Sequence, residues 1–267
     1  MVRRFEFNAI YVIESLKDED IKTGTALYED LLKWQSYKVD YLRMEIKRIN
    51  SKDALFLEFE ETKKLVLQND LNPFFHFEIH GSPKGLVLNS NELVTWMELT
   101  NRLREINVLL RNNLFVSFAT CYSAHIYQEV TPFLPSPFFA FIGSWEKITQ
   151  EDVMYSFYHF FESIFDNKDL SNIDLAKAIK KLNDAKERPT YYFYNAEKIF
   201  DRAMAEHDKS LADPIQLDKR VAGIIEKFRQ DENLKKIPTT KLEKLIRDVY
   251  KENENIKEGY KKIFLMQ

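Results

Sequence analysis

Two short apolar segments end in groups that can do chemistry, and one helix-length segment separates them. Phe74-Phe75-His76-Phe77-Glu78-Ile79-His80-Gly81 reads as a buried strand closing on His-Gly. Leu114-Phe115-Val116-Ser117-Phe118-Ala119-Thr120-Cys121 reads as a second buried strand, closing on the only cysteine of the 267-residue chain. Residues 92–112 between them place Leu93, Trp96, Leu99, Leu103, Ile106 and Leu110 on one helical face. A strand-helix-strand unit of this size makes a right-handed parallel crossover. Both strands then end on the same sheet edge, where open α/β sheets bind ligands. His80 and Cys121 are predicted to meet there, as a nucleophilic thiol and its base do.

The flanking sequence extends the same pattern. Ile10-Tyr11-Val12-Ile13 reads as a buried strand, and residues 17–24 as a polar loop. Ala26, Leu27, Leu31 and Trp34 fall on helical spacing. Leu42, Met44 and Ile46 alternate with charged residues, as in a half-buried strand near a sheet edge. Residues 53–67 fit either a helix or a strand by pattern, and the run Glu60-Glu61-Thr62-Lys63-Lys64 favours the helix. Phe138-Phe139-Ala140-Phe141-Ile142-Gly143, after the breaker Pro135-Ser136-Pro137, is a further strand, and residues 153–165 an aromatic helix. Alternating strands and helices predict a layered α/β sandwich with a mainly parallel sheet over residues 1–166. From about residue 167 the chain turns lysine-rich and helical, over 174–186, 197–207, 218–229 and 239–260, with Tyr191-Tyr192-Phe193-Tyr194 as a lone β-type run. Residues 167–267 are expected to form a mainly helical appendage.

Composition narrows the function classes. With 39 basic and 42 acidic residues the net charge is −3, which gives no global attraction to nucleic acid or to an anionic membrane. The lysines of the last hundred residues are interleaved with Asp and Glu, the pattern of solvated helix faces. One cysteine excludes an intrachain disulfide and a multi-cysteine zinc site. Without an apolar leader after Val2-Arg3-Arg4, this favours a cytoplasmic protein. No apolar stretch approaches the roughly 20 residues of a membrane helix. A mixed metal site from Cys121, His125, His76, Glu78 and His80 lacks any tight ligand spacing. No metal and no cofactor is expected.

The order strand-His-Gly, turn, hairpin, helix, strand-Cys resembles the caspase-like cysteine peptidases, the broad group with caspases, metacaspases, separase, gingipains and bacterial CHAT-type proteases. Gly81-Ser82-Pro83-Lys84-Gly85 stands as the turn, and Leu86-Val87-Leu88 with Asn89-Ser90-Asn91 as the hairpin. The resemblance covers roughly residues 5 to 165. It implies a caspase-like three-layer sandwich and a cysteine endopeptidase, with Cys121 as nucleophile and His80 as general base. The N–H groups of Gly81 and Cys121 then hold the oxyanion. Such proteases in microbes are often regulated effectors of defence or cell death. Protein or peptide substrates and a regulatory protein partner follow from the same resemblance. The chain departs from the pattern in Cys121-Tyr122-Ser123-Ala124, which lacks the usual glycine, and in Ala119, where caspases carry Gln and metacaspases Asp.

Each candidate also has a plain structural reading. Lone cysteines are commonly small buried hydrophobes. Against this, a helix opening after Cys121 would favour an anion at its N-terminus. His76 reads as a satisfied core histidine, and Glu78 as a core ion-pair partner, a helix-orienting group or an orienter of His80. Three residues are candidate readers of the side chain before the cut: Lys22, in Lys22-Thr23-Gly24, for an acidic one, and Glu14 or Glu146 for a basic one. Lysine reads a carboxylate less well than arginine does, and a lysine in such a loop is more often just solvated. The alternative to a peptidase is a module that keeps the fold without turnover, with the helical region as its interaction surface.

Overall fold

Strands that are apolar on both sides can be buried only between two layers of helices. In the computed structural model, which describes residues 5–39, 41–69, 71–166, 173–184, 188–230, 237–251 and 253–267, the chain follows that rule. β1 (Ala9–Ser15) is buried at every position. A helical segment follows, α1 (Thr23–Leu27) passing through a π-helical turn (Tyr28–Leu32) into α2 (Lys33–Gln35). Then come β2 (Arg43–Arg48), α3 (Lys52–Asn69) and β3 (Pro73–Ser82). A hairpin of β4 (Gly85–Val87) and β5 (Leu93–Thr95) leads into α4 (Trp96–Leu109) and β6 (Phe115–Phe118). A 3-10 helix (Ser123–Glu129), β7 (Ala140–Gly143), α5 (Gln150–Phe165), α6 (Leu175–Asn183) and β8 (Tyr192–Asn195) complete the α/β part.

The strands lie in the order β2-β1-β3-β6-β7-β8. All neighbours are parallel except β7 and β8, which are antiparallel. Side-chain alternation divides the aromatic residues between two faces. On one face Phe59 of α3 meets Phe75 and Phe77 at 5.8 and 6.4 Å, and Trp96 of α4 meets Phe118 at 6.0 Å. On the other, Phe161 of α5 lies 5.5 Å from Phe74, and Phe157 lies 4.5 Å from the ring of His76. Each fully buried phenylalanine contributes roughly 1.5–3 kcal/mol by leaving water, so this aromatic filling holds the layers on the sheet.

Three expectations change in detail. The second arm of the hairpin is β5, not Asn89-Ser90-Asn91, which lies in the turn. The helix expected from residue 92 starts at Trp96, because Thr95 caps it: the Thr95 side chain accepts from the Glu98 N–H while the Glu98 carboxylate accepts from the Thr95 N–H. Cys121 lies in a turn beyond the end of β6, and the helix after it is a short 3-10 helix.

The chain forms two compact units, divided at Ala196 rather than at residue 166, so α6 and β8 belong with the sheet. Residues 167–172, at the expected boundary, and 185–186, at the end of the helix expected over 174–186, lie outside the described residues. The second unit holds residues 131–134 with α7 (Ala196–Ala212) from Glu197 onward, α8 (Pro214–Phe228), α9 (Thr239–Lys251) and α10 (Asn253–Leu265). Phe200 meets Phe264 at 5.5 Å there, and Phe133 meets Tyr260 at 5.0 Å. No helix among the described residues is long and apolar enough to cross a membrane.

Candidate functional site

The winding of the chain makes a crevice before any side chain is considered. β1 leads away to β2 on one side, and β3 leads away to β6 on the other, so the strand order reverses between β1 and β3. Open sheets bind ligands beyond the carboxyl ends of such strands. Here those ends carry the loop after β1, the His80-Gly81 end of β3 and the Cys121 turn after β6.

The loop after β1 is braced by its own hydrogen bonds. Asp20 N–H donates to the Lys17 carbonyl (3.0 Å), and Lys17 N–H donates to Asp20 Oδ2 (2.8 Å). The Lys22 ammonium donates to the carbonyls of Leu16 (2.8 Å) and Lys17. Lys22 therefore spends its charge on its own loop. Braced in this way, Asp20 meets His80 Nε2 with Oδ2 at 2.7 Å. Partial burial pushes the Asp20 carboxyl up, but the hydrogen bonds from His80 and from the Lys17 N–H outweigh it and hold the group below the usual carboxylate range. An ionised carboxylate only accepts, so the proton of a neutral His80 sits on Nε2 and Nδ1 keeps its lone pair. His80 is 44% exposed.

Gly81 brings the two strand ends together. A Cβ at that position would lie 2.0 Å from the Cys121 carbonyl oxygen and 2.5 Å from Thr120 Cγ2. The backbones touch there because glycine has no side chain. The Cys121 turn is held by Ala119 N–H to the Phe77 carbonyl (2.9 Å) and by Tyr122 N–H to the Glu146 carbonyl (3.1 Å). Tyr122 takes the left-handed conformation, φ 57°. The Cys121 sulfur is half-buried; it accepts a hydrogen bond from the Ile148 N–H at 3.3 Å, and its thiol donates to the Ile148 carbonyl at 3.7 Å. The Cys121 N–H has no acceptor among the described residues. His80 and Cys121 line one cleft, together with Glu78, Ala119 and Ile148.

Beneath the cleft runs a buried polar chain. Ser117 Oγ meets His76 Nδ1 at 2.8 Å, and His76 Nε2 meets Glu78 Oε1 at 2.9 Å. The Thr23 hydroxyl donates to Glu78 Oε2 at 2.7 Å. His76 is thus a satisfied core histidine, and Glu78 reaches the start of α1 rather than His80. Gly24 leaves room for it, since a Cβ there would lie 2.7 Å from Glu78 Cγ.

The other candidates lie elsewhere. Glu14 is buried and accepts from the Thr25 N–H and hydroxyl, both at 2.8 Å, so it anchors the start of α1. Glu146 is exposed and meets the Cys121 turn through its main chain only. The ring of His125 lies 5.3 Å from Trp145. No group of three His, Cys, Asp or Glu residues among the described residues is placed to hold a metal. Asp20 is the site residue that sequence reasoning missed. Its only signal was a carboxylate in the loop directly after a buried strand. Comparison of the chain with protein-family models and with curated proteins returns no match.

Proposed function

We propose that the protein is a cysteine endopeptidase of caspase-like build, with Cys121 as nucleophile, His80 as acid and base, and Asp20 as the group that positions His80. The observation that carries this reading is the meeting of three chain segments at one cleft. Gly81 abuts the Cys121 carbonyl, and His80 and Cys121 share the lining, while Asp20 holds the far nitrogen of His80. The mostly parallel sheet, with β3 and β6 as neighbours, agrees with the resemblance to that group.

The chemistry follows from these atoms. His80 Nδ1 takes the thiol proton, and the sulfur attacks the scissile carbonyl carbon. A C–S bond forms, and the C=O π pair moves to oxygen. The unengaged Cys121 N–H is one donor for that oxyanion, with the Gly81 N–H as its expected partner. The tetrahedral species collapses, the C–N bond breaks, and the imidazolium gives its proton to the leaving amine. Water, deprotonated by His80, then attacks the thioester and breaks the C–S bond. The acid product leaves and the thiol is restored.

The test is covalent labelling of the full chain with peptidyl acyloxymethyl ketones, beside Cys121→Ala and His80→Ala. The expected result is adduct at Cys121, absent from Cys121→Ala and slowed at least about 100-fold in His80→Ala. A folded protein that reacts with none of the probes, and whose thiol alkylates no faster than free cysteine, would instead be a binding module of the same fold.

A further inference from the structure

We infer that the substrate residue whose carbonyl meets Cys121 is lysine or arginine, and that Glu78 receives its side chain. This rests on the peptidase reading above and goes beyond it by assigning the specificity determinant. Glu78 lines the cleft that holds His80 and Cys121, and it also lines an adjoining recess that runs past Thr23 and Val153 to Leu27 and Asp30. Apart from the His80–Cys121 pair, the groups of these linings that can carry charge at neutral pH are carboxylates, Glu78 and Asp30. Neither lining, among the described residues, includes a lysine or an arginine. The remaining walls are largely aliphatic and aromatic, which suits the methylene stem of a long cationic side chain.

The hydrogen bonds around Glu78 leave it without a lysine or arginine partner. The Ser117 hydroxyl has no acceptor among the described residues other than His76 Nδ1. The arrangement that uses every proton has Ser117 donate to Nδ1 and His76 Nε2–H donate to Glu78. No lysine or arginine among the described residues pairs with Glu78. Each Glu78 oxygen accepts one bond and keeps room for another. A buried carboxylate without a cation is costly, and an incoming ammonium or guanidinium supplies the missing charge.

Position agrees with this assignment. Glu78 and His80 are two residues apart on one face of β3, roughly 6.7 Å along the strand, close to the span of an extended lysine side chain. Ala119, also on the lining, contributes only a methyl group. The residues first considered for this task are otherwise committed: Glu14 to α1, Lys22 to its own loop, and Glu146 outside the lining.

The experiment measures second-order rates of Cys121 labelling in the full chain. The probes are acyloxymethyl ketones that differ only in carrying Lys, Arg, Leu or Asp beside the warhead. The expected result is a basic probe at least about 100-fold faster than the Leu and Asp probes, with Glu78→Gln drawing the basic-to-Leu ratio toward one. Labelling led by Leu or Asp would overturn the assignment of Glu78 and leave the peptidase standing. A basic preference undiminished in a folded Glu78→Gln would overturn it as well. No labelling by any probe would overturn both readings. If Glu78→Gln fails to fold, the ranking on the unaltered protein decides.

Discussion

Two histidines stand on one face of β3, four residues apart, and the middle of the sheet treats one as its edge does not treat the other. His76 is fully buried, bonded at both nitrogens and ringed by Phe157 and Phe161. His80 is 44% exposed, bonded at one nitrogen, and opens on a cleft. In the interior, every polar atom needs a partner or costs desolvation energy, so both His76 nitrogens are occupied. At the edge, water pays for what the protein leaves open, and one nitrogen of His80 remains available for proton transfer. The same side chain is fully engaged in one place and half open to a cleft in the other.

The comparison breaks most visibly at His76. His76→Ala empties a site between two phenylalanines and removes a donor from Glu78, so it is expected to cost about 3–5 kcal/mol of stability. Urea denaturation followed by tryptophan fluorescence checks this, and a loss below about 1 kcal/mol would mean that the buried chain is not structural. The mirror case is Asp20→Asn at the edge. Its amide can donate to His80 and favours the wrong tautomer, so kcat is expected to fall about 100-fold with KM and melting temperature nearly unchanged. A fall confined to KM would remove Asp20 from its positioning role.

The smallest effect lies at the cap of α4. The Lys52 ammonium, 2.5 Å from Glu98, and the Thr95 N–H hold the Glu98 carboxyl down to about 2. A depressed carboxyl stabilises the fold above its unfolded value near 4.5, and that contribution is lost as pH falls toward 2. The group is more than a third exposed, so solvent screening limits the effect to under about 1 kcal/mol. The stability gap between the unaltered protein and Glu98→Gln should shrink as the pH falls from 7 to 2. A gap independent of pH would show that the ion pair contributes nothing.

The unit β3-α4-β6 was legible because its strands are apolar at every core position and its helix repeats at 3.6 residues. Thr95 and Glu98 spelled a capping box that places the start of α4 four residues later than apolar periodicity alone does. Leu93 and Val94 fit a helix or a strand equally well, and only pairing with β4 decides. Residues 192–194 of the run lie in β8 because Phe141 and Ile142, some fifty residues earlier, offer them an edge. No local pattern carries that information. In the candidate site, His80, Gly81 and Cys121 were readable as strand ends. Asp20 was not, since a loop residue has no periodicity and its partner lies 60 positions away. The buried role of Glu78 was open in the sequence, where its alternation with His76 and His80 gave a face and not a partner.

The contact at Gly81 has a meaning for anyone who would redesign this protein. One missing methyl sets the gap between the two halves of the cleft, main chain against main chain, to a tolerance below the width of a carbon atom. Position 81 and the turn opposite it are the fixed jaw of the cleft. The adjustable jaw is the loop at residues 16–23 with the entry to α5, where side chains line the cleft.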